Sequence, residues 1–279
     1  MPLWTADVGG YLKTPTTPDP VLEARWTEYA AFSPTMEILS QANTQPWNWD
    51  QATGSTRALD IYRRYAVLHM SLFPYRYAAA QEAAKTGMPL MRALALLYQN
   101  DLRARLCRDE YLFGPDLLVA PVIDENTRRA VYLPEGQWVD YWTGVQIAGG
   151  KTVVVDAPLD LLPLFVRAGA VLPKIPEDVM TLVPEKESGN QSVKSLDERR
   201  VYEVFGGADT TLKDFEGRSI AHAGNSLKIS GQTAHVIVRV RFAKVKNASA
   251  AGAGVKVQQV GDASVLEFDH TGESTISWK

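Results

Sequence analysis

A single thiol and four imidazoles leave little for metal or thiolate chemistry. Cys107 is the only cysteine, and His69, His222, His235 and His270 show no HxxxH spacing. An intrachain disulfide and a thiolate cluster each need a second sulfur, so both are excluded, and a zinc site lacks its usual ligand pattern. We therefore expect neither a metal nor a cofactor. The side chains left for chemistry are carboxylates and aromatics. Among the carboxylates, Asp7 stands beside the glycine turn Gly9-Gly10-Tyr11, and Glu37 follows Ser33-Pro34. Among the aromatics, Trp47 and Trp49 interrupt a polar loop, Gln45-Pro46-Trp47-Asn48-Trp49-Asp50. Rings in such a loop either stack on a flat ligand face or pin the loop by burying themselves, and spacing leaves both readings open.

Two helical patterns must position these groups. Asp19-Pro20 supplies an N-cap followed by proline at the first helical position. Leu22, Trp26, Tyr29 and Ala30 then form one apolar stripe, and Ser33-Pro34 closes the helix. A second helix starts near Ser55-Thr56 with Ile61, Tyr65, Leu68 and Leu72 on one face. Pro74 should kink or divide it, and Gly87 sits where a C-terminal cap belongs. His69 lies one residue off the apolar stripe and is read as structural. Ahead of the first helix, Met1 to Ala6 reads as a buried strand with nothing before it to pair with, so further sequence upstream is expected.

After Gly87 the hydrophobic period falls from 3.6 to 2. Short β-rich runs are expected at 117–122, 130–133, 138–142, 152–155, 162–167 and 170–172, with Trp138 and Trp142 alternating on one face. Residues 176–200 are polar and read as a linker or long loop. Beyond them Val236, Val238, Val240 and Phe242 alternate with Ile237, Arg239 and Arg241, as in a sheet with one buried face. Strands alternating with helices suggest a parallel α/β fold, and here there is too little of one to close on itself. The formal net charge of -3 gives no basic footprint, so nucleic acid and anionic membrane are disfavoured as partners. No apolar run reaches the length of a membrane span.

Several strings, taken in order, give this chain a resemblance. Asp7-Val8-Gly9-Gly10-Tyr11 is similar to an Asp-Ile-Gly-Gly-Phe string, and Arg25-Trp26 with Ala31-Phe32-Ser33-Pro34 to an Arg-Trp…Gly-Ala-Phe-x-Pro pattern. Pro46-Trp47, Leu72-Phe73-Pro74-Tyr75 and Gly87-Met88-Pro89-Leu90-Met91-Arg92 follow. Gly114-Pro115-Asp116-Leu117-Leu118-Val119-Ala120-Pro121-Val122, Tyr141-Trp142-Thr143-Gly144 and Phe165-Val166-Arg167-Ala168-Gly169-Ala170 continue in register. Together they resemble the C-terminal portion of glycoside hydrolase family 31, retaining α-glycosidases for the most part. Each string alone is weak, and their common order carries the resemblance. Over the last hundred residues it is looser, resting on a tyrosine and acidic hairpin at 202–217.

The resemblance implies the terminal strand–helix units of a (β/α)8 barrel at 1–87, a proximal antiparallel β-sandwich at 88–175, and a linker with a distal β-sandwich at 176–279. Retaining hydrolysis needs two carboxyl groups about 5–5.5 Å apart. In the family these are aspartates on barrel strands four and six, upstream of the string that begins here at Asp7. No catalytic residue is therefore expected in this chain, which should be an inactive segment of a longer product. The substrate-binding candidates implied are Asp7, Tyr11, Glu37 and Trp47, with an oligosaccharide or glycoside as substrate. Glu37, Ile38 and Leu39 stand where most members carry an arginine, a variable residue and a sugar-binding histidine. Tyr11 replaces the family's phenylalanine, and its ring either adds a hydroxyl at the rim or packs. Two alternatives stay open: a non-catalytic carbohydrate-binding or scaffolding module, and catalysis by Asp7 and Glu37 themselves. An incomplete barrel also exposes strand edges, which invites self-association.

Overall fold

The computed structural model describes residues 4–10, 19–38, 45–50, 54–182, 199–250 and 253–279. The chain divides into two compact units that do not follow sequence order. One comprises Met1–His69, Glu82–Gly136 and Ala148–Phe165, and the other Met70–Gln81, Gln137–Ile147 and Val166–Lys279.

The first unit opens with strand β1 (Thr5–Asp7), helix α1 (Pro20–Ala31), strand β2 (Thr35–Glu37) and helix α2 (Arg57–Ser71). Strands β1 and β2 pair in parallel. Of the buried strand expected from Met1 to Ala6, residues 1–3 lie outside the described residues, and the described part is wetter than its composition suggests. Trp4 is 47% exposed and only Ala6 of β1 is buried. Helix α1 begins as its cap signal predicts, with the Asp19 carboxylate accepting from the amides of Val21 and Leu22. The chain then turns at Ser33, whose hydroxyl donates to the carbonyls of Ala30 and Thr35. The apolar stripe of α1 is only partly its buried face: Ala30 is buried and Trp26 and Tyr29 pack half-buried against the core. Leu22 is 55% exposed, whereas Glu23, Ala24, Arg25, Thr27 and Glu28 are buried.

The reason lies more than 100 residues away. The Arg25 guanidinium donates to Ala157 O at 2.7 Å and Pro158 O at 3.2 Å, and it pairs with Glu28 at 3.0 Å. These acceptors let Arg25 and Glu28 be buried on a face that apolar periodicity alone would leave to hydrophobic side chains. The Tyr65 hydroxyl of α2 meets the same segment, accepting from Leu162 N and donating to Asp160 O. His69, at the end of α2, is bonded through Nδ1 to Ala31 O at 2.9 Å.

Helix α3 (Phe73–Thr86) follows α2 after a break at Leu72, so Pro74 divides the pattern as expected. Gly87 ends α3 with φ of +78°, donating its amide to Ala83 O. The remaining strands of the first unit are antiparallel. Met91–Ala93, Tyr111–Phe113 and Leu117–Val119 form one ladder, and Arg128–Leu133 pairs with Lys151–Asp156.

The second unit is built on two sixteen-residue strands, Ser226–Arg241 and Ala263–Trp278, paired antiparallel with an irregularity between Gly231 and Ala234. Arg199–Val204 joins Ser226–Arg241 in parallel, and Val171–Lys174 pairs antiparallel with Arg199–Val204. Val236, Val238 and Val240 are buried as their alternation demands. Phe242 is not part of that alternation, because the strand stops at Arg241 and Phe242 turns with φ of +55°. Likewise Trp142 does not share a strand with Trp138. That strand ends at Asp140, whose carboxylate accepts from the amides of Trp142 and Thr143. Within 176–200, the described part from Ile175 to Val179 packs with Met70 and Phe73, a strand begins at Arg199, and 183–198 lie outside the described residues.

Two buried polar clusters staple this unit. Glu203 lies between Lys174 Nζ at 2.7 Å and Arg241 at 2.6 Å, beneath Tyr141. At the tight turn after Lys213, Asp214 accepts from the Tyr202 hydroxyl and from Arg218. The next residue, Phe215, packs edge-on against Phe73 and Tyr77 of α3.

Candidate functional site

The parallel register sets Thr5 beside Thr35, Ala6 beside Met36 and Asp7 beside Glu37. Both carboxylates therefore stand at the C-terminal ends of neighbouring parallel strands, the end at which barrel enzymes gather their functional groups. The amide of Val8 donates to Glu37 O at 2.9 Å, extending the pairing one step past β2. Gly10 then donates back to Asp7 O at 2.9 Å, closing a turn in which Gly9 and Gly10 take φ of +86° and +88°. Side chains disfavour that backbone region, so the two glycines hold the strand end in place. Beneath the pair, Ala6, Val8, Ala30, Trp49 and Ala58 form a buried cluster.

A hydrogen bond to Asp7 raises the Glu37 carboxyl above its ordinary range, with burial and the Asp7 charge adding to the effect. Asp7 Oδ1 is buried and finds no partner among the described residues. The strand ends thus present carboxyl oxygens able to accept hydrogen bonds, as a binding site for hydroxyl groups requires.

The loop from β2 to α2 separates its two tryptophans. Pro46–Asn48 forms a single 3-10 turn. Trp49 is 1% exposed and meets Tyr62 edge-on, with ring centroids 5.7 Å apart. Asp50 accepts from Ala58 N at 2.8 Å and Leu59 N at 3.3 Å, tying the loop to the start of α2. Trp47, in contrast, is 68% exposed. Trp49 thus pins the loop, and Trp47 faces solvent. Tyr11, Leu39 and Asn43 lie outside the described residues.

Sequence reasoning missed two features of this unit. A cavity of 780 Å³ is lined by Leu22, Trp26, Tyr29, Met91, Glu110 and Ile123, among others. Beside it Cys107, Asp109 and Glu110 bring their ligand-type atoms within 4.8 Å of one another. These groups are already committed elsewhere. Both Glu110 oxygens accept from Tyr132 N, and Asp109 pairs with Arg129 at 2.9 Å. Burial pushes the Cys107 thiol up to about 11 and the Glu110 carboxyl up to about 7, against the anionic forms that a cation needs. No signal in the sequence sets this trio apart, since its partners lie in other strands.

Comparison with known proteins gives a consistent result. Residues 1–79 match the glycosyl hydrolases family 31 TIM-barrel domain, and residues 87–172 match the glycosyl hydrolase family 31 C-terminal domain. Isomaltosyltransferase of Sporosarcina globispora is 39% identical over 182 residues, covering 62% of this chain and 16% of that protein. Alpha-glucosidase 2 of Bacillus thermoamyloliquefaciens is 30% identical over 224 residues, 77% of this chain and 26% of its own length. The cycloalternan-forming enzyme from Listeria monocytogenes, solved with a pentasaccharide substrate, superposes with a TM-score of 0.79 at 26% identity. That likeness covers 99% of this chain and 29% of the enzyme, so it extends through the last hundred residues, beyond the two family-domain matches. The chain spans less than a third of the length of each of these proteins.

Proposed function

Since the chain belongs to glycoside hydrolase family 31, as a C-terminal segment of such an enzyme, we propose that the whole protein acts on α-glycosides with retention. In this reading residues 1–87 complete a (β/α)8 barrel, with β-sandwich domains at 88–175 and 176–279. The segment supplies one wall of the sugar site through Asp7 and Glu37, with Tyr11 next to them in sequence. The catalytic carboxylates belong to the part that the relatives have and this chain does not span. One observation carries the reading: the Asp7 and Glu37 register at the C-terminal ends of two parallel strands. Their carboxyl oxygens can accept hydrogen bonds from sugar hydroxyls. Glu37 and Leu39 stand where most members present an arginine and a sugar-binding histidine.

Isothermal titration of the 279-residue chain with methyl α-glucoside tests the reading, alongside turnover of an aryl α-glycoside. Binding without turnover is expected. Glu37→Gln should weaken binding about tenfold or more, as expected for the loss of a hydrogen bond to a charged group. Turnover by the chain alone that disappears in Asp7→Asn and in Glu37→Gln would place catalysis on the pair instead and overturn the assignment.

A further inference from the structure

The 780 Å³ cavity of the first unit is bounded by α1 and by the ladder of Met91–Ala93 and Tyr111–Phe113. Its volume falls in the range of about 300–1,000 Å³ usual for small-ligand sites. Leu22, Trp26 and Tyr29 come from the helix, and Met91, Pro121 and Ile123 from the sheet side. The aromatic wall is held in place. Tyr29 meets Trp4 and Tyr111 edge-on, with centroids 6.4 and 6.3 Å apart, and the Tyr111 hydroxyl donates to Phe32 O at 2.9 Å. Rings fixed in this way present a preformed apolar surface, which suits a flat apolar ligand.

The polar part of the lining is positive. Arg108 is exposed and makes no ion pair or hydrogen bond among the described residues. Arg25 also lines the cavity and is buried, and its Nε finds no partner among the described residues. Burial pushes the neighbouring Glu28 carboxyl up to about 8, so at neutral pH the Arg25 charge is largely uncompensated. The remaining groups offset little of this. Asp109 is paired with Arg129, burial pushes Glu110 up to about 7, and the Cys107 thiol stays neutral. Walls of low dielectric strengthen the pull of such charges on an anion that enters with an apolar body.

We propose that this cavity binds a small amphipathic anion, an aromatic ring system carrying a carboxylate. The ring packs against Trp26, Tyr29 and Met91, and the carboxylate faces Arg108 and Arg25. Asp7 and Glu37 do not line the cavity, so a ligand held here does not depend on the carboxyl pair.

Calorimetric titration of the full chain with 2-naphthoate and with its neutral isostere 2-naphthamide separates ring from charge. The carboxylate should bind about tenfold more tightly or better, as a charge-assisted contact requires. Cys107, the one thiol of the sequence, lines the cavity and reports on the place of binding. Saturating 2-naphthoate should slow its alkylation by N-ethylmaleimide at least about fivefold, on the order of the occupancy expected at saturation. Arg108→Gln should bring 2-naphthoate close to the affinity of the amide while leaving the amide and the thermal midpoint unchanged. Ala93 lines the cavity from an exposed strand position, so Ala93→Phe should fill space and weaken both ligands. Absence of binding, equal affinity for the two ligands, or binding that leaves Cys107 alkylation unchanged overturns the assignment. So does a preference for the carboxylate that survives Arg108→Gln intact, or an Ala93→Phe variant that binds both ligands as the wild type does.

Discussion

Glu203→Gln tests how the second unit is held together. Glu203 is 2% exposed and lies between Lys174 and Arg241. Burial alone would raise its carboxyl, but the two cations outweigh that effect and hold it at about 2 against an ordinary 4.5. A carboxyl lowered by that amount contributes about 3 kcal/mol to stability at neutral pH. The sign follows from the depressed value: the contribution is present above pH 4.5 and is lost as pH falls from 4.5 toward 2. Glutamine removes the anion and leaves two cations facing a neutral amide, which costs about 3–5 kcal/mol. Urea unfolding of the wild type and the variant should therefore differ by that amount at pH 7. The gap should narrow through pH 4 and approach zero near pH 2, where wild-type Glu203 is itself protonated. A difference under about 1 kcal/mol at pH 7 would refute the argument, as would a gap that stays the same at pH 2.5.

Three further outcomes follow from other sites. Burial, only partly offset by Arg25, pushes the Glu28 carboxyl up to about 8, so the folded chain prefers it protonated. Its stabilising contribution is complete below pH 4.5 and is lost as pH rises through about 8. Glu28→Gln should raise the thermal midpoint by about 5 °C at pH 8.5 and change it little at pH 5. Gly169 has φ of +84°, and a Cβ there would overlap the Ala208 carbonyl oxygen. Gly169→Ala should cost about 2–4 kcal/mol in chemical denaturation, since backbone cannot move aside as a side chain can. Phe215→Ala removes a ring that meets Phe73 and Tyr77 edge-on and lies 5.1 Å under the Arg200 guanidinium. A loss of about 2–3 kcal/mol by urea unfolding is expected.

Features set by nearby residues were legible in the sequence. Asp19 caps α1, Pro74 divides α2 from α3, Gly87 ends α3, and the Val236–Val238–Val240 alternation marks a half-buried strand, because each depends on local backbone chemistry. The ordered family strings placed Asp7 and Glu37 on neighbouring strands, which the register shows. What could not be read depends on distant partners. Helix α1 buries Arg25 and Glu28 because carbonyls at Ala157 and Pro158 receive the guanidinium. The Lys174, Glu203 and Arg241 cluster joins three separate strands. Trp47 and Trp49 have the same local context, and their fates diverge only when Tyr62 closes over one of them.

The Arg25 contacts bear on where such a chain can be cut. A truncation placed after the second helical pattern, at Gly87, would look sensible from composition, because the period changes there. It would also strip Arg25 of its long-range acceptors at Asn126, Ala157 and Pro158 while Glu28 stayed beside it. The remaining piece would carry a buried guanidinium without the hydrogen bonds that make its burial tolerable. For anyone trimming or grafting members of this family, the loop at 157–162 therefore travels with the helix at Pro20–Ala31, and a module boundary drawn by sequence texture alone would sever them.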